Sequence, residues 1–154
     1  MLAPGHTYQF KVTATDNAGN VSGGKTGSTY TLSLYQENST KIKYSTGWTR
    51  QKLTGANGGQ VDFATAAGKT ATLTFTGFQV AWMSTQGPTR GSATVKLDSG
   101  TAATINTNTS SAHAAEIVDV VTAAAQGSHK LVVNVLGTAG HPRMDVDAFV
   151  VLSK

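Results

Sequence analysis

Apolar and polar residues alternate over residues 6–15. Tyr8, Phe10 and Val12 fall on one face, while threonine, glutamine and lysine occupy the other. This period of two predicts a half-buried β-strand. The strand ends at Asp-Asn-Ala-Gly-Asn, residues 16–20, where asparagine, aspartate and glycine tolerate the positive φ angles of a turn. The N-terminal segment therefore predicts a β-hairpin.

Extended segments recur between glycine-rich breaks through the rest of the chain. They cover residues 29–34, 70–76, 79–83, 92–97, 101–106, 116–121, 129–136 and 144–152. Many short strands separated by turn signals are typical of a β-sandwich. Gly77, between two of these segments, predicts a kink or bulge. Residues 121–126 fit either a short helical turn or a strand, and their neighbours favour the strand.

Residues 23–28, Gly-Gly-Lys-Thr-Gly-Ser, have the composition of a flexible linker. We place a domain boundary near residue 30, so that residues 1–30 hold the hairpin and linker and residues 31–154 form the main domain. An isolated hairpin is marginally stable in water, and we expect this one to pack on the main domain. Residues 1–10 lack the basic start and apolar run of a signal peptide, and we expect the chain to belong to a longer exported polypeptide.

The composition favours an all-β protein with a weakly charged surface. Only 13% of the 154 residues are charged, and the β-branched residues that favour strands are abundant. Such a composition is common in secreted bacterial β-proteins. The net charge is +4, but the twelve lysines and arginines are scattered, which argues against nucleic-acid binding. No apolar stretch is long enough for membrane insertion, and without cysteine there is no disulfide.

Two types of side chain are the first to inspect for a binding site: aromatic rings that stack on a ligand, and planar polar groups that form paired hydrogen bonds to it. The candidates of these types are Tyr44, Trp48, Trp82, Arg90, His141 and Arg143. Each has a structural alternative. Trp48 fits a stacking platform or the core, and the alternation around Trp82 favours the core. Arg90 fits ligand binding or pairing with a carboxylate, while His141 and Arg143 fit ligand binding or an exposed, solvated loop.

Enzymatic chemistry is not expected. The sequence contains no nucleophile elbow, no His-Glu-x-x-His metal pair and no phosphate-binding glycine loop. A glycosidase needs two carboxylates at a set separation. Asp98, Asp145 and Asp147 all have structural interpretations, in a tight turn or on a strand. We therefore predict a protein without catalytic residues.

Residues 2–22 resemble the final hairpin of a bacterial fibronectin type III module. The resemblance rests on Leu2, the Pro-Gly pair at 4–5, Tyr8 and the Asp-x-Ala-Gly-Asn turn at 16–20. It covers about the last quarter of such a module.

Residues 36–152 resemble bacterial accessory domains with a galactose-binding-like β-sandwich, the fold of many carbohydrate-binding modules. The resemblance rests on the order of six short pieces, at residues 44–48, 73–77, 80–82, 90–98, 127–131 and 146–152. It implies a jelly-roll β-sandwich that holds a secreted glycoside hydrolase or cell-surface protein on a polysaccharide or glycan. Some such families also hold a structural calcium. Asp147 matches one of its ligand positions, but the opening segment offers only Glu37.

We therefore expect an all-β, galactose-binding-like jelly-roll with an N-terminal β-hairpin, located outside the cell. Its expected function is non-catalytic carbohydrate binding, with a glycan and the parent's catalytic domain as partners and no cofactor beyond a possible structural calcium. The alternative is a structural or adhesive protein-interaction module, with both tryptophans buried and no sugar site.

Overall fold

The structure, a computed structural model, describes residues 2–154 and is built almost entirely of β-strands. Within these residues the strands are β1 His6–Val12, β2 Lys25–Gln36, β3 Ile42–Tyr44, β4 Thr49–Lys52, β5 Gln60–Ala64, β6 Thr70–Gln86, β7 Ser92–Leu97, β8 Ala103–Asn106, β9 His113–Val135, β10 Met144–Val146 and β11 Ala148–Ser153. A short 3-10 helix, Asn57–Gly59, precedes β5. Residues 2–154 hold no helix with the length and hydrophobicity that a membrane crossing requires.

Eight strands share one hydrogen-bonded network in the order β1-β2-β11-β6-β9-β7-β8, with β3 also paired to β6. All these pairs are antiparallel. The first half of β6 pairs with β3 and with the second half of β9, whereas its second half pairs with β11 and with the first half of β9. The two long strands therefore belong to both layers of the predicted β-sandwich, and the all-β fold class is confirmed.

The change of layer falls at Gly77, where the sequence predicts a kink. Gly77 lies opposite Gly127, and the β6–β9 register shifts directly after it. A Cβ on Gly77 would lie 2.7 Å from Cγ1 of Val151 and 2.8 Å from the carbonyl oxygen of Leu152. Only glycine permits β11 to approach this closely.

The core lies between the layers and follows from the alternation in each strand. Val80 and Trp82 of β6 point inward, and Phe149 and Val151 of β11 meet them as direct cross-strand partners. Further buried apolar residues close the core on the other side: Leu73, Phe75, Val95, Leu131, Val133, Met144 and Val146. Trp82 is 1% exposed, so its ring is not available to a ligand.

The N-terminal hairpin docks on the sandwich through β2. Tyr8 pairs with Tyr30 and His6 with Leu32, and the distal half of β2 then pairs with β11. Lys25 to Ser28 lie within β2, because Lys25 pairs with Val12 and Thr26 pairs with Lys11 at the end of β1. The expectation that this stretch is a flexible linker is therefore wrong, although the boundary near residue 30 stays a prediction.

Residues 121–126 are strand, as their neighbours predict, and not a helical turn. The predicted strand 144–152 differs from the sequence pattern, because it breaks at Asp147. Before the break, β10 joins β5 and β4 in a separate three-stranded sheet. The hydrophobic pattern does not indicate β4, because all four of its residues are polar and exposed. This small sheet positions the candidate site.

Candidate functional site

Two arginines meet one buried aspartate at the edge of the small sheet. Asp145 of β10 is fully buried. Its Oδ2 accepts a hydrogen bond from Arg90 Nε at 2.8 Å, and its Oδ1 accepts one from Arg143 Nε at 2.7 Å. We call these residues, with the adjacent Gln51 and His141, the arginine cluster. Because both carboxylate oxygens are occupied by guanidinium groups, Asp145 is poorly suited to proton transfer.

The loops that carry the cluster are held against each other. Arg90 and Arg143 form a parallel β-bridge, and the Gly91 backbone N–H donates to the Arg143 carbonyl oxygen at 3.0 Å. The Nδ1 of His141 lies 2.6 Å from the carbonyl oxygen of Pro88. A Cβ on Gly91 would lie 1.9 Å from the carbonyl oxygen of His141, so only glycine fits between the loops. These contacts fix the positions of both arginines.

Arg143 has a rigid environment of its own. Its guanidinium carbon lies 3.9 Å from the centre of the Phe63 ring, a cation–π geometry. Its Nη1 donates to Gln51 Oε1 at 2.8 Å, while its Nη2 is buried without a hydrogen-bond partner. The cluster therefore presents two guanidinium groups to one carboxylate, leaving a net positive charge and an unused donor.

A second group of aromatic and charged residues lies around β3, β4 and β5, with Trp48 just before β4 and Glu37 just after β2. The Tyr44 and Trp48 rings are 5.0 Å apart, and the Tyr44 hydroxyl donates to the Glu37 carbonyl oxygen at 3.0 Å. Arg50 donates to both oxygens of Asp62, at 3.0 and 2.8 Å. Burial raises the pKa values of Tyr44 and Glu37. Trp48 is half-buried against the core, with its indole nitrogen unpartnered.

Asp147 lies beside this group and is the one residue that matches the expected calcium ligands. Its Oδ2 accepts a 3.0 Å hydrogen bond from the Asn57 backbone N–H, while its Oδ1 is buried without a partner. Gln36 Oε1 is also unpartnered, but the Glu37 carboxylate lies 3.8 Å from Arg50 Nε. Calcium takes six to eight oxygen ligands, and the described residues contain no group of three acidic or histidine side chains placed for a metal. These donors do not fit a calcium site.

The structure brings some of the sequence-derived candidates together and separates others. Arg90, His141 and Arg143 meet in the arginine cluster, Tyr44 and Trp48 lie on the second group, and Trp82 lies in the core. Sequence reasoning missed Gln51, Phe63 and the role of Asp145. The alternating Arg-Met-Asp sequence at 143–145 hints that these two side chains share one strand face. Nothing local indicates Gln51, which is 92 residues from Arg143.

Comparison with known proteins gives a fold but not a family. No family model matches the sequence, and no curated protein matches it. Among solved structures, it is similar to a family 35 carbohydrate binding module from Clostridium thermocellum, with 11% identity, a TM-score of 0.54, and coverage of 79% of this chain and 98% of that one. It is also similar to the CBM36-1 domain of a multidomain xylanase from the hindgut metagenome of Trinervitermes trinervoides, with 12% identity, a TM-score of 0.54, and coverage of 80% and 97%.

Larger proteins contain the same fold as one part. A family two carbohydrate esterase from Cellvibrio japonicus matches with 11% identity and a TM-score of 0.59, over 81% of this chain and 34% of the esterase. The chain thus spans about a third of that enzyme and nearly the whole of the two binding modules. At these identities the comparisons establish the β-sandwich fold that carbohydrate-binding modules use.

Proposed function

We propose that this chain is a non-catalytic carbohydrate-binding accessory module. The observation that carries the proposal is the match over nearly the full length of two modules that are named for carbohydrate binding. The same fold occurs as about one third of a carbohydrate esterase. That arrangement supports a role beside a catalytic domain, and the proposal assigns no catalysis to the module itself.

The proposed binding site is the arginine cluster. Guanidinium N–H groups that are held rigidly can donate paired hydrogen bonds to neighbouring sugar hydroxyls. Arg90 and Arg143 are fixed by Asp145, so little side-chain entropy is lost on binding. His141 lies on the same loop as Arg143 and offers a further polar group. Binding would be weak at a single site and would become useful through tethering to the parent enzyme.

Trp48 and Tyr44 are proposed as a separate aromatic platform. Trp48 retains partial exposure, which suits a ring that stacks on a sugar face. Both groups of residues are carried or contacted by the small β4-β5-β10 sheet. The platform and the arginine cluster are tested independently below.

The remaining features of the proposal concern the parent protein. The hairpin of β1 and the start of β2 would be the end of a fibronectin type III module, with the domain boundary near residue 30. The parent would be a secreted or cell-surface bacterial protein such as a glycoside hydrolase. Its partners would be a polysaccharide or glycan and the parent's catalytic domain, and the proposal involves neither nucleic acid nor membrane insertion.

The test is a glycan array and an insoluble-polysaccharide pull-down, with and without calcium. Arg90→Lys and Arg143→Lys keep the charge beside Asp145 but remove the planar fork, and should weaken binding about tenfold. Trp48→Ala tests the aromatic platform, and Lys96→Ala, an exposed cation on β7, is the matched control. Absence of binding to plant, fungal and bacterial glycans would overturn the proposal.

The second candidate is a structural or adhesive protein-interaction module. It is favoured by large apolar residues on the surface, including Phe10 at 58% and Ile117 at 55% exposure. Such surfaces commonly mark protein contacts. If the glycan tests fail while the folded domain associates with neighbouring domains of its parent, this second function is the better account.

A further inference from the structure

One flank of the β-sandwich is open. β9 pairs with β6 from His113 to Thr122, whereas β7 pairs with β9 only from Leu131 to Val135. Within residues 2–154, no strand pairs with the opposite edge of β9 over 113–122. A groove of about 560 Å³ lies between this edge and the β7–β8 hairpin. The first half of β9 is therefore a strand edge with free backbone groups beside a cavity.

The groove has an apolar floor. Val95, Leu97 and Val121 line it, and all three belong to or pack against the hydrophobic core. Ala103 and Ala123 extend the apolar surface. Small and branched apolar residues at a strand edge accommodate alternate side chains of an added strand.

Acidic residues dominate the groove's charge. Asp98, Asp119 and His129 are the ionisable residues that line it. Asp98 Oδ2 lies 2.7 Å from His129 Nδ1, so this pair is matched. Asp119 Oδ2 is buried without a hydrogen-bond partner, and burial raises the pKa of Asp119. Asp119 Oδ2 is thus the carboxylate oxygen of the lining that lacks a partner, and a basic side chain would complement the charge of Asp119.

The edge is also more apolar than an exposed edge strand usually is. Ile117 is 55% and Val120 52% exposed on this strand. Natural proteins cover or disrupt such edges, because they otherwise pair with other chains. A register shift between Ile117 and Asp119 disrupts the strand at Val118. A second shift, between Thr122 and Gly127, leaves residues 123–126 without partners on β6, so the regular part that remains able to pair is residues 119–122.

We propose that the edge of β9 over residues 119–122 binds an extended peptide segment that adds a strand to the sheet and places a lysine or arginine against Asp119. Backbone hydrogen bonds to β9 supply affinity. Apolar side chains on the inward face contact Val95, Leu97 and Val121, and the basic residue between them supplies specificity. This interaction surface is separate from the arginine cluster and does not depend on carbohydrate binding.

The lining favours a peptide over a glycan. No tryptophan, tyrosine or phenylalanine is among the described residues that line the groove, so no ring is available to stack a sugar. The imidazole of His129 is held on both sides, by Asp98 and by the Ala125 carbonyl oxygen at 3.1 Å. A free strand edge, in contrast, matches the backbone of a peptide directly.

The test is an NMR titration with the peptide acetyl-Thr-Val-Thr-Lys-Thr-Val-Thr-amide, which alternates apolar and polar faces around a central lysine. Two analogues control for strand pairing: one is N-methylated at the odd-numbered residues and the other at the even-numbered residues, so that each blocks the N–H groups along one edge of the peptide. A peptide with central glutamate controls for charge. We expect chemical-shift changes at residues 119–122 and 95–97, about tenfold weaker binding of the glutamate peptide, and loss of binding for at least one N-methylated analogue.

Variants locate the contact. Asp119→Asn should remove the preference for lysine over glutamate, while Asp16→Asn, in the distant hairpin turn, should leave it intact. The proposal would be overturned if both N-methylated peptides bound as tightly as the unmodified peptide, or if Asp119→Asn kept the preference for lysine. Chemical-shift changes confined to other residues would overturn it as well. So would shifts at 119–122 caused by xylo- or cello-oligosaccharides and not by the peptide. Glycan binding at the arginine cluster is measured separately, so failure of either proposal leaves the other standing.

Discussion

Asp145 and Asp147 lie on either side of Val146, and neither is exposed to solvent. Their surroundings are opposite. Asp145 receives hydrogen bonds from two arginines, whereas Asp147 receives one backbone N–H and has a second oxygen without a partner. Burial raises the pKa of Asp147 to about 6. Equal burial thus has different consequences, because a buried charge is tolerated only where partners replace its water.

The largest expected effect is at Asp145. Asp145→Asn leaves Arg90 and Arg143 without their shared carboxylate and should lower the free energy of unfolding by about 3–5 kcal/mol. Urea unfolding at pH 7 measures the change. Asp98→Asn, in a more exposed pair, is the control and should cost no more than about 1 kcal/mol. Equal losses in the two variants would mean that the arginine cluster does not stabilise the loops.

Asp147 should behave in the opposite sense. Its pKa is about 6 in the folded protein against an ordinary value of 3.8. Because the folded pKa is raised, the carboxyl group favours folding below pH 4, and this contribution is lost as the pH rises to 6. The difference corresponds to about 3 kcal/mol. Asp147→Asn should therefore raise the stability at pH 7 by up to about this amount and leave the stability at pH 4 nearly unchanged.

Unfolding midpoints at pH 4 and pH 7 measure this effect. Asp147→Asn is the one variant proposed here that should gain stability at pH 7. Calcium provides a second arm. Calcium at about 1–5 mM is on the order of the dissociation constants of weak protein sites. If the donors around Asp147 do not hold calcium, this concentration should leave the pH dependence of wild-type stability unchanged. A calcium-dependent rise in stability at pH 7 that Asp147→Asn abolishes would contradict the interpretation of this site.

The contrast between the two aspartates explains what the sequence can and cannot predict. Strand spacing predicts the β-sandwich, and the period-two pattern places Trp82 in the core, because both depend on local alternation. The loops around Arg90 and Arg143 stand out for their turn residues. Their pairing with Asp145 does not, since it depends on three segments that meet only after folding. β4 escapes prediction because its residues are all polar.

Substitution of Gly91 tests how closely the two loops that carry Arg90 and Arg143 are packed. Gly91→Ala places a methyl group 1.9 Å from the His141 carbonyl oxygen, so the loops must separate. Overpacking of this kind costs about 1–3 kcal/mol. Gly23→Ala, where nothing lies within 4 Å, is the matched control and should change stability by no more than about 0.5 kcal/mol. Thermal unfolding of both variants measures the difference, and similar midpoints would show that the loops adjust freely.

The smallest effect should come from the ion pair of Asp98 and His129, which is more exposed than the pairs that Asp145 forms with its two arginines. Their hydrogen bond raises the pKa of His129 above 6.5 and lowers that of Asp98 below 3.8. The Asp98 contribution is present above pH 4, and the His129 contribution is lost as the pH rises above 6.5. The pair therefore stabilises most between these values, by no more than about 1 kcal/mol.

The effect of Asp147 falls in the same pH range and has to be removed first. In an Asp147→Asn background, His129→Gln should cost more stability at pH 5.5 than at pH 8.5, because the imidazole is charged only at the lower pH. Salt should reduce the difference, since an exposed pair is screened. A cost independent of both pH and salt would show that His129 stabilises the turn through packing against Phe75, whose ring centre lies 5.6 Å away, and not through its charge.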